Sequence, residues 1–345
     1  MLPPPRTPDP LDAPPLRWGI LAPGHIARGM VAALQARTHQ RVVAVGSRDT
    51  GRARSFADEL GIASAYGSYA DLVADPSVDV VYVASPHSEH RDHALLALEA
   101  GKAVLVEKAF CRNAAEAREV VAAARSRGLF CMEGMWTRFL PGIDVVRRAI
   151  EEGLLGPVET VIADHGQPLW PDGPRRLADP ALAGGALLDL GIYPLSLASW
   201  VLGGVATVTA TGTLTPDGVD AQESIVVTGG RHGLGVLHAS MTARTPTVAT
   251  VAGMAGRIDL GDAGLPEGPW YGPGPVRFTS RDAATTGTWE PEDRAHGLHF
   301  EACEAARCIA GGLSQSPLMP LQETVRIMEV MDEVRRQLGV RFPGE

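Results

Sequence analysis

Cysteine is scarce: Cys111, Cys131, Cys303 and Cys308 are the only four in 345 residues, and no CxxC spacing occurs among them. That pattern suggests neither a zinc site nor a disulfide framework, and the four read as reduced core thiols. Aromatic residues make up only 5%, and 31 Lys and Arg are outnumbered by 40 Asp and Glu, for a net charge of −9. Binding a phosphate backbone or an anionic bilayer relies on clustered cations, so neither nucleic acid nor membrane is an expected partner. No apolar run reads as approaching the roughly 18 residues of a membrane span, and residues 1–8 lack the apolar stretch of a signal peptide. The expected location is the cytoplasm. Scattered histidines and carboxylates close no ligand set, and no metal is expected.

What is present suits a two-domain globular chain, 45% hydrophobic and 21% charged. Residues 1–15 are proline-rich and are predicted to form a disordered or extended tail. From 16 to 150, short apolar runs at 17–22, 41–47, 78–84, 103–106 and 129–133 alternate with helical patterns at 25–37, 50–60, 88–100 and 113–127. This α/β alternation predicts a Rossmann-type doubly wound parallel sheet. Beyond Gly156-Pro157 the texture turns β-rich, with candidate strands at 158–164, 205–214, 222–229, 233–241 and 247–253. Residues 151–320 are therefore predicted to form an α+β domain with a large, mostly antiparallel open sheet, against which 185–202 lies as one helix. Leu321, Val325, Met328, Met331, Val334 and Leu338 make one apolar stripe, which predicts a helix over 321–345 that packs back on the first domain.

The first strand runs through Ala22-Pro23-Gly24-His25-Ile26-Ala27 into a helix. Backbone N–H groups at a helix start, together with the positive end of its dipole, can hold a pyrophosphate. The G-x-G-x-x-G/A fingerprint is imperfect, with Ala22, Gly24 and Ala27 at its three places. Pro23 is predicted to confine Ala22 to an extended conformation and removes one N–H donor. The second strand ends at Ser47-Arg48, a hydroxyl followed by a guanidinium, which suits the 2′-phosphate of NADP; Asp49 keeps NAD possible. The competing reading of Arg48 is a solvated loop charge.

Four further segments follow in order: Ala84-Ser85-Pro86-His87-Ser88-Glu89-His90, Glu107-Lys108, Glu133-Gly134-Met135-Trp136-Thr137-Arg138, and Asp189-Leu190-Gly191-Ile192-Tyr193. With the Gly-bearing turn, this series resembles the Gfo/Idh/MocA oxidoreductases over nearly the whole chain. It is most similar to their dimeric dihydrodiol dehydrogenase and NADP-linked xylose dehydrogenase branch, with Tyr193 where many members carry histidine. The resemblance implies that Ser85, Pro86, His90, Glu107 and Lys108 lie near the cofactor and that Trp136 and Arg138 make contacts with the cofactor and the edge of the substrate pocket. It also implies a homodimer or larger homo-oligomer formed through the open face of the second sheet.

An alcohol that gives hydride to nicotinamide must also lose its hydroxyl proton. Tyrosine, with a pKa of about 10, is a poor base alone, and a nearby ammonium favours its ionised form. Tyr193 is therefore assigned as proton acceptor or donor, with Lys108 as its tuner and the polariser of the substrate oxygen. Glu107 would orient Lys108 or the nicotinamide ribose, and Asp189 would position substrate or Tyr193. The bland competitors are a surface ion pair for Glu107-Lys108, a core tyrosine for Tyr193, and a packed indole with a stacked guanidinium for Trp136 and Arg138. His165 and His299 are possible pocket residues. Pro168, Leu169, Trp170, Trp270 and Tyr271 offer an apolar or sugar-stacking wall, or equally core. Ala109 departs from the proline that usually follows Glu-Lys, and a trans Lys108–Ala109 bond is expected. These readings lead to a dehydrogenase using NADP, with NAD as the alternative, on a sugar, cyclic polyol or trans-dihydrodiol. The rivals are a redox-neutral NAD-dependent glycoside hydrolase or lyase, and a non-catalytic nucleotide sensor.

Overall fold

Strand runs such as Val80-Val81-Tyr82-Val83 are buried throughout, as expected of a parallel sheet covered on both faces. The computed structural model describes residues 1–230, 233–262, 268–294 and 297–345. In the first half lie β1 (Arg17–Leu21), α1 (His25–Arg37), β2 (Arg41–Gly46), α2 (Thr50–Leu60), β3 (Ser64–Tyr66), α3 (Tyr69–Ala74), β4 (Val80–Val83), α4 (His90–Glu99), β5 (Ala103–Glu107), α5 (Ala114–Arg127) and β6 (Cys131–Gly134). The strands form one parallel sheet in the order β3-β2-β1-β4-β5-β6, a doubly wound arrangement that reverses beside β1. Local signals set the helix ends. Asn113 accepts from the Glu116 N–H at 3.0 Å to start α5, and Gly128, at φ 64°, ends it.

Then follow α6 (Pro141–Glu151), β7 (Val158–Gly166), α7 (Ile192–Leu202), β8 (Val205–Leu214), β9 (Asp220–Gly229), β10 (Leu234–Ser240), β11 (Ala249–Gly253), β12 (Gly256–Leu260), β13 (Val276–Ser280), β14 (Thr286–Trp289), α8 (Leu298–Ala310) and α9 (Leu321–Leu338). The second sheet runs β14-β13-β12-β11-β7-β10-β9-β8 and is antiparallel except where β10 lies parallel to β7. Alternation along β9 and β10 buries Ile225, Val227 and Leu237, while Val226, Leu234 and Val236 stay exposed.

Three domain expectations are corrected. The chain divides into a Rossmann unit of residues 8–136 and 297–325 and a second unit of 1–7, 137–296 and 326–345. First, α6 belongs to the second unit rather than the first, because its Gly142 lies close against Trp289 and Val276. Second, α8 returns to the Rossmann unit, where Leu298 meets Gly29 of α1. Third, most of α9 belongs to the second unit: Gln337 bonds the Val208 carbonyl at 3.0 Å and the Ala210 N–H at 2.7 Å, occupying edge groups of β8. The apolar stripe predicted that helix but carried no sign of which sheet it covers.

The tail is not disordered. Arg6 binds Asp144 and Glu151, Arg148 donates to the Pro4 carbonyl at 2.7 Å, and Arg307 donates to the Asp9 carbonyl at 2.8 Å. Proline stiffens the segment, which lowers the entropy lost on ordering it. The 185–202 helix is also corrected. It opens as a π turn, Leu187–Gly191, before α7 begins. In addition, Pro180–Leu202 is long and apolar enough by composition to cross a membrane, contrary to the reading of the sequence, and 89% of its most apolar window is buried inside the protein.

Candidate active site

The phosphate turn departs from its expectation at Ala22, which stands at φ 75° rather than extended. The chain must reverse sharply here. The Ala22 N–H donates to the Gly46 carbonyl at 3.2 Å and the Gly24 N–H to the Ala22 carbonyl at 2.9 Å, which overrides the pre-proline preference and uses a conformation that glycine usually supplies. Gly24 starts α1 with no side-chain cap, so the first-turn N–H groups of His25 and Ile26 depend on another acceptor. A Cβ on Gly24 would meet nothing nearer than the Ala84 carbonyl at 3.8 Å, and Ala27 is fully buried against the sheet. An uncapped helix start with open space over its glycine fits a pyrophosphate.

At the end of β2, Ser47 is buried and its Oγ accepts from the Asp49 N–H at 3.2 Å. Asp49 itself caps α2 by accepting from the Arg52 N–H at 2.9 Å, so the one acid that favoured NAD is committed to the backbone. Arg48 is exposed. Arg52, one helical turn on, donates to the Pro23 carbonyl at 3.2 Å. Burial raises the Tyr69 hydroxyl pKa, and the charges of Arg48 and Arg52 oppose that rise. Arg52 was missed in the sequence, although its spacing of four from Arg48 was the available signal.

The Ser85–His90 and Glu107–Ala109 segments are tied together within the Rossmann unit. His90 is fully buried, with Nδ1 2.8 Å from the Ala109 carbonyl and Nε2 2.7 Å from the Ser85 carbonyl. Burial lowers its pKa to about 4, against the pull of those two carbonyls. A neutral imidazole donates to only one of the two carbonyls, and through that bond His90 braces the Ser85 and Ala109 segments. Ser85 Oγ pairs with His93 Nδ1 at 2.9 Å, and Pro86 leads into the single turn His87–Glu89.

Glu107 is 4% exposed and accepts from the Tyr82 hydroxyl and, at 3.2 Å, from the Lys108 N–H, so it is not half of a surface ion pair. Lys108 is half-buried just past the end of β5. Contrary to expectation, the Lys108–Ala109 peptide is cis. It is flanked by the His90 bond to Ala109 and by Glu133, which accepts from the Phe110 N–H at 3.2 Å. Glu301 of α8, fully buried, was not anticipated; burial and its neighbours Glu107 and Glu133 raise its pKa well above the carboxylate range.

In the second unit, Tyr193 lies in the first turn of α7 at 6% exposure. Its ring centroid is 5.1 Å from His165 and 5.0 Å from Tyr271, and His165 stacks on Tyr271 at 4.2 Å. Gln167 joins the group, reaching the Tyr271 hydroxyl at 3.0 Å and His165 Nε2 at 2.8 Å. Asp189 is 7% exposed and bound by Arg176 at 3.0 Å. Burial, and then the Asp189 charge, raise the Tyr271 pKa. Neither Gln167 nor Arg176 carried a motif by which the sequence marked it.

Several wall candidates are core. Trp270 is buried and donates to the Asp164 carbonyl at 2.8 Å, and Leu169 and Trp170 pack on Leu177, Leu190 and Met241. Pro168 is exposed. Arg138, at 4% exposure, donates to Ser196 Oγ and its carbonyl, both at 2.9 Å, and lies over the Trp200 ring. Trp136 is buried, and His299, in the Rossmann unit, packs on Phe300. Among the described residues no group of three or more His, Cys, Asp or Glu could hold a metal ion.

Comparison with known proteins agrees with this geometry. Residues 16–135 match the oxidoreductase family with an NAD-binding Rossmann fold, and 143–259 match the GFO/IDH/MocA C-terminal domain. Trans-1,2-dihydrobenzene-1,2-diol dehydrogenase from Bos taurus is 38% identical over 341 residues, covering 96% of this chain and 99% of that protein. The chain belongs to the Gfo/Idh/MocA family. Within it, the Homo sapiens protein of the same name is 37% identical over 338 residues, with coverage of 96% and 99%. A 3-ketoreductase from Actinomadura kijaniata, solved with NADP and TDP-benzene, superimposes with a TM-score of 0.79 at 26% identity, covering 94% of this chain and 98% of its own. An aldose-aldose oxidoreductase from Caulobacter crescentus, at TM-score 0.82 and 23% identity with coverage of 94% and 97%, shares the fold. This Gfo/Idh/MocA protein is thus a nicotinamide-dependent oxidoreductase, a dehydrogenase by descent.

Proposed function

We propose that the protein is an NADP-dependent dehydrogenase of ring-borne secondary alcohols, with a trans-dihydrodiol, a cyclic polyol or a sugar as substrate. The observation that carries this reading is the Tyr193, Tyr271 and His165 ring group beside the π turn that holds Asp189. It combines clustered aromatic rings with a phenol able to move a proton and an acid suited to a neighbouring hydroxyl. The names of the relatives, dihydrodiol dehydrogenases, support the same substrate class. A bound nicotinamide would supply the hydride acceptor for oxidation and the hydride donor for reduction. Tyr193 takes the hydroxyl proton in oxidation and gives it back in reduction. As the family resemblance implies, Lys108 would supply a positive charge that favours the ionised phenol and the developing oxyanion, and Glu107, held by Tyr82, fixes the backbone at Lys108. His25 and Ile26 donate their N–H groups to the pyrophosphate. The test is nicotinamide absorbance with NADP and NAD against aldoses, cyclic polyols and trans-dihydrodiols. Net reduction with one class establishes the reading, and binding without net reduction across the panel removes it.

Arg48 and Arg52 form the proposed 2′-phosphate site, with Asp49 occupied as a helix cap. Arg48→Ala is expected to weaken NADP by about tenfold or more, the worth of one charge-assisted phosphate contact, and to leave NAD nearly unchanged. Fluorescence titration with both dinucleotides checks this; equal weakening of the two sinks the assignment.

A homodimer through the open face of the second sheet completes the proposal. Ile162, Val236 and Val226 stand in register on adjacent strands, 52%, 48% and 45% exposed, with Thr250 and Thr209 flanking them. A contiguous apolar stripe of this kind suits a second copy of the chain. Val236→Glu should yield monomers in sedimentation velocity, and an unchanged sedimentation coefficient counts against this face. The buried thiols of Cys111, Cys131, Cys303 and Cys308, all free, support a reducing, cytoplasmic setting.

A further inference from the structure

Two buried acids that the proposed chemistry does not use lie beneath the π turn. Asp220 and Glu223 are each 1% exposed. Three residues apart on a regular strand they would face opposite sides of the sheet. The pairing of β8 with β9 slips between Thr213 and Leu214, so that Gln222 and Asp220 are their successive partners. This bulge at Ala221 turns Asp220 to the same side as Glu223.

Both carboxyls press on the segment 185–191. Asp220 Oδ2 accepts from the Leu187 N–H at 2.5 Å, and a Cβ on Gly185, which sits at φ 115°, would run into the Asp220 carboxylate. At the other end, a Cβ on Gly191 would lie 2.6 Å from Glu223 Oε1. The two glycines therefore mark where the acids touch the backbone. Between those contacts lies Asp189, and Tyr193 follows two residues after the second.

The pair also needs a proton of its own. Among the described residues no N–H or hydroxyl reaches either oxygen of Glu223, and its ionisable neighbour is Asp220. The Arg335 guanidinium acts on Asp220 from α9 but is bound to Asp332 and Glu345. Two adjacent carboxyls buried this deeply cannot both ionise. Burial and the neighbouring Asp220 raise Glu223 well above the carboxylate range. Asp220 in turn holds the Leu187 N–H. π turns inside helices recur at functional sites, and this one is held at both ends.

We propose that Asp220 and Glu223 are positioning residues that lock the 185–191 turn and thereby fix Tyr193 and Asp189 for proton transfer. The inference rests on the role proposed for Tyr193, and its test separates the two. In the full-length protein, Glu223→Gln keeps an N–H donor toward Asp220, whereas Glu223→Leu does not. The expected result is a fall in kcat of about 10- to 100-fold for Glu223→Leu, the scale of a small misplacement of a reacting group. Dinucleotide affinity should be unchanged, Glu223→Gln should stay close to the parent, and amide exchange across 187–193 should be faster only in the leucine variant.

Exchange that is unaltered in Glu223→Leu, or a Glu223→Gln variant as impaired as the leucine one, overturns the proposal. Faster exchange with full activity, together with a fully active Tyr193→Phe, instead overturns the role of Tyr193 and leaves the lock standing. Should Glu223→Leu fail to fold, Gly191→Ala probes the contact from the other side. The added methyl should lower kcat, and Glu223→Ala in the same chain should restore part of it by making room. Additive losses in that double variant also overturn the proposal.

Discussion

Replacing Tyr193 by phenylalanine is expected to lower kcat by two to four orders of magnitude, roughly the worth of general acid–base catalysis at one position, and to leave NADP affinity intact. The substitution removes one oxygen and keeps the ring, so the packing with His165 and Tyr271 at 5.1 and 5.0 Å persists. The phosphate turn at Gly24 and the arginines after β2 belong to the other unit of the chain, which is why cofactor binding should not change. Steady-state rates together with a dinucleotide titration check both halves of the expectation. A variant that turns over like the parent would remove Tyr193 from the mechanism, and one that loses NADP binding would make it a structural residue.

Lys108→Met should cost about 100-fold or more in kcat, because the ammonium is assigned to the charge that develops as the proton leaves. Methionine keeps most of the stem of this half-buried side chain and removes the charge. Glu107 remains bonded by Tyr82, so the strand end should keep its shape. Lys108→Arg is not expected to restore activity, since a planar guanidinium cannot take the place of a compact ammonium. The pH–rate profile adds an independent check. An ammonium lowers the pKa of a phenol that it favours in ionised form, so its removal should move the alkaline rise of the oxidation rate to higher pH. A reduced kcat with an unmoved profile would leave Lys108 to bind substrate rather than tune the phenol.

The parallel sheet was legible because strands buried on both faces read as unbroken runs such as Val80–Val83, with turn residues and helical periods between them. β3, Ser64–Tyr66, escaped because three half-buried residues carry no periodicity. The π turn at Leu187–Gly191 was hidden for the opposite reason: every residue from Leu187 to Ser199 is buried, and no polar face reveals where the helical phase slips. Motif order singled out Lys108, Tyr193, Asp189 and Gly24 as candidates. It could not tell that His90 and Arg138 spend their polar atoms inside the protein, because hydrogen-bond partners far apart in the chain leave no local trace. Glu301, Asp220 and Glu223 show the same limit from the other side. An isolated acid reads as surface, and only the fold reveals that it is buried. Ala22 and Ala109 each broke a local backbone rule, and in both places tertiary hydrogen bonds flank the exception.

The central claim is net hydride transfer from a substrate carbinol carbon to the nicotinamide. Its most direct measurement uses a substrate of the reactive class deuterated at that carbon, followed by mass spectrometry of the released cofactor. The account predicts that NADPH accumulates carrying one deuterium per turnover. Product that forms while the cofactor pool stays oxidised and unlabelled would contradict it, and would point to redox-neutral bond cleavage on the same scaffold.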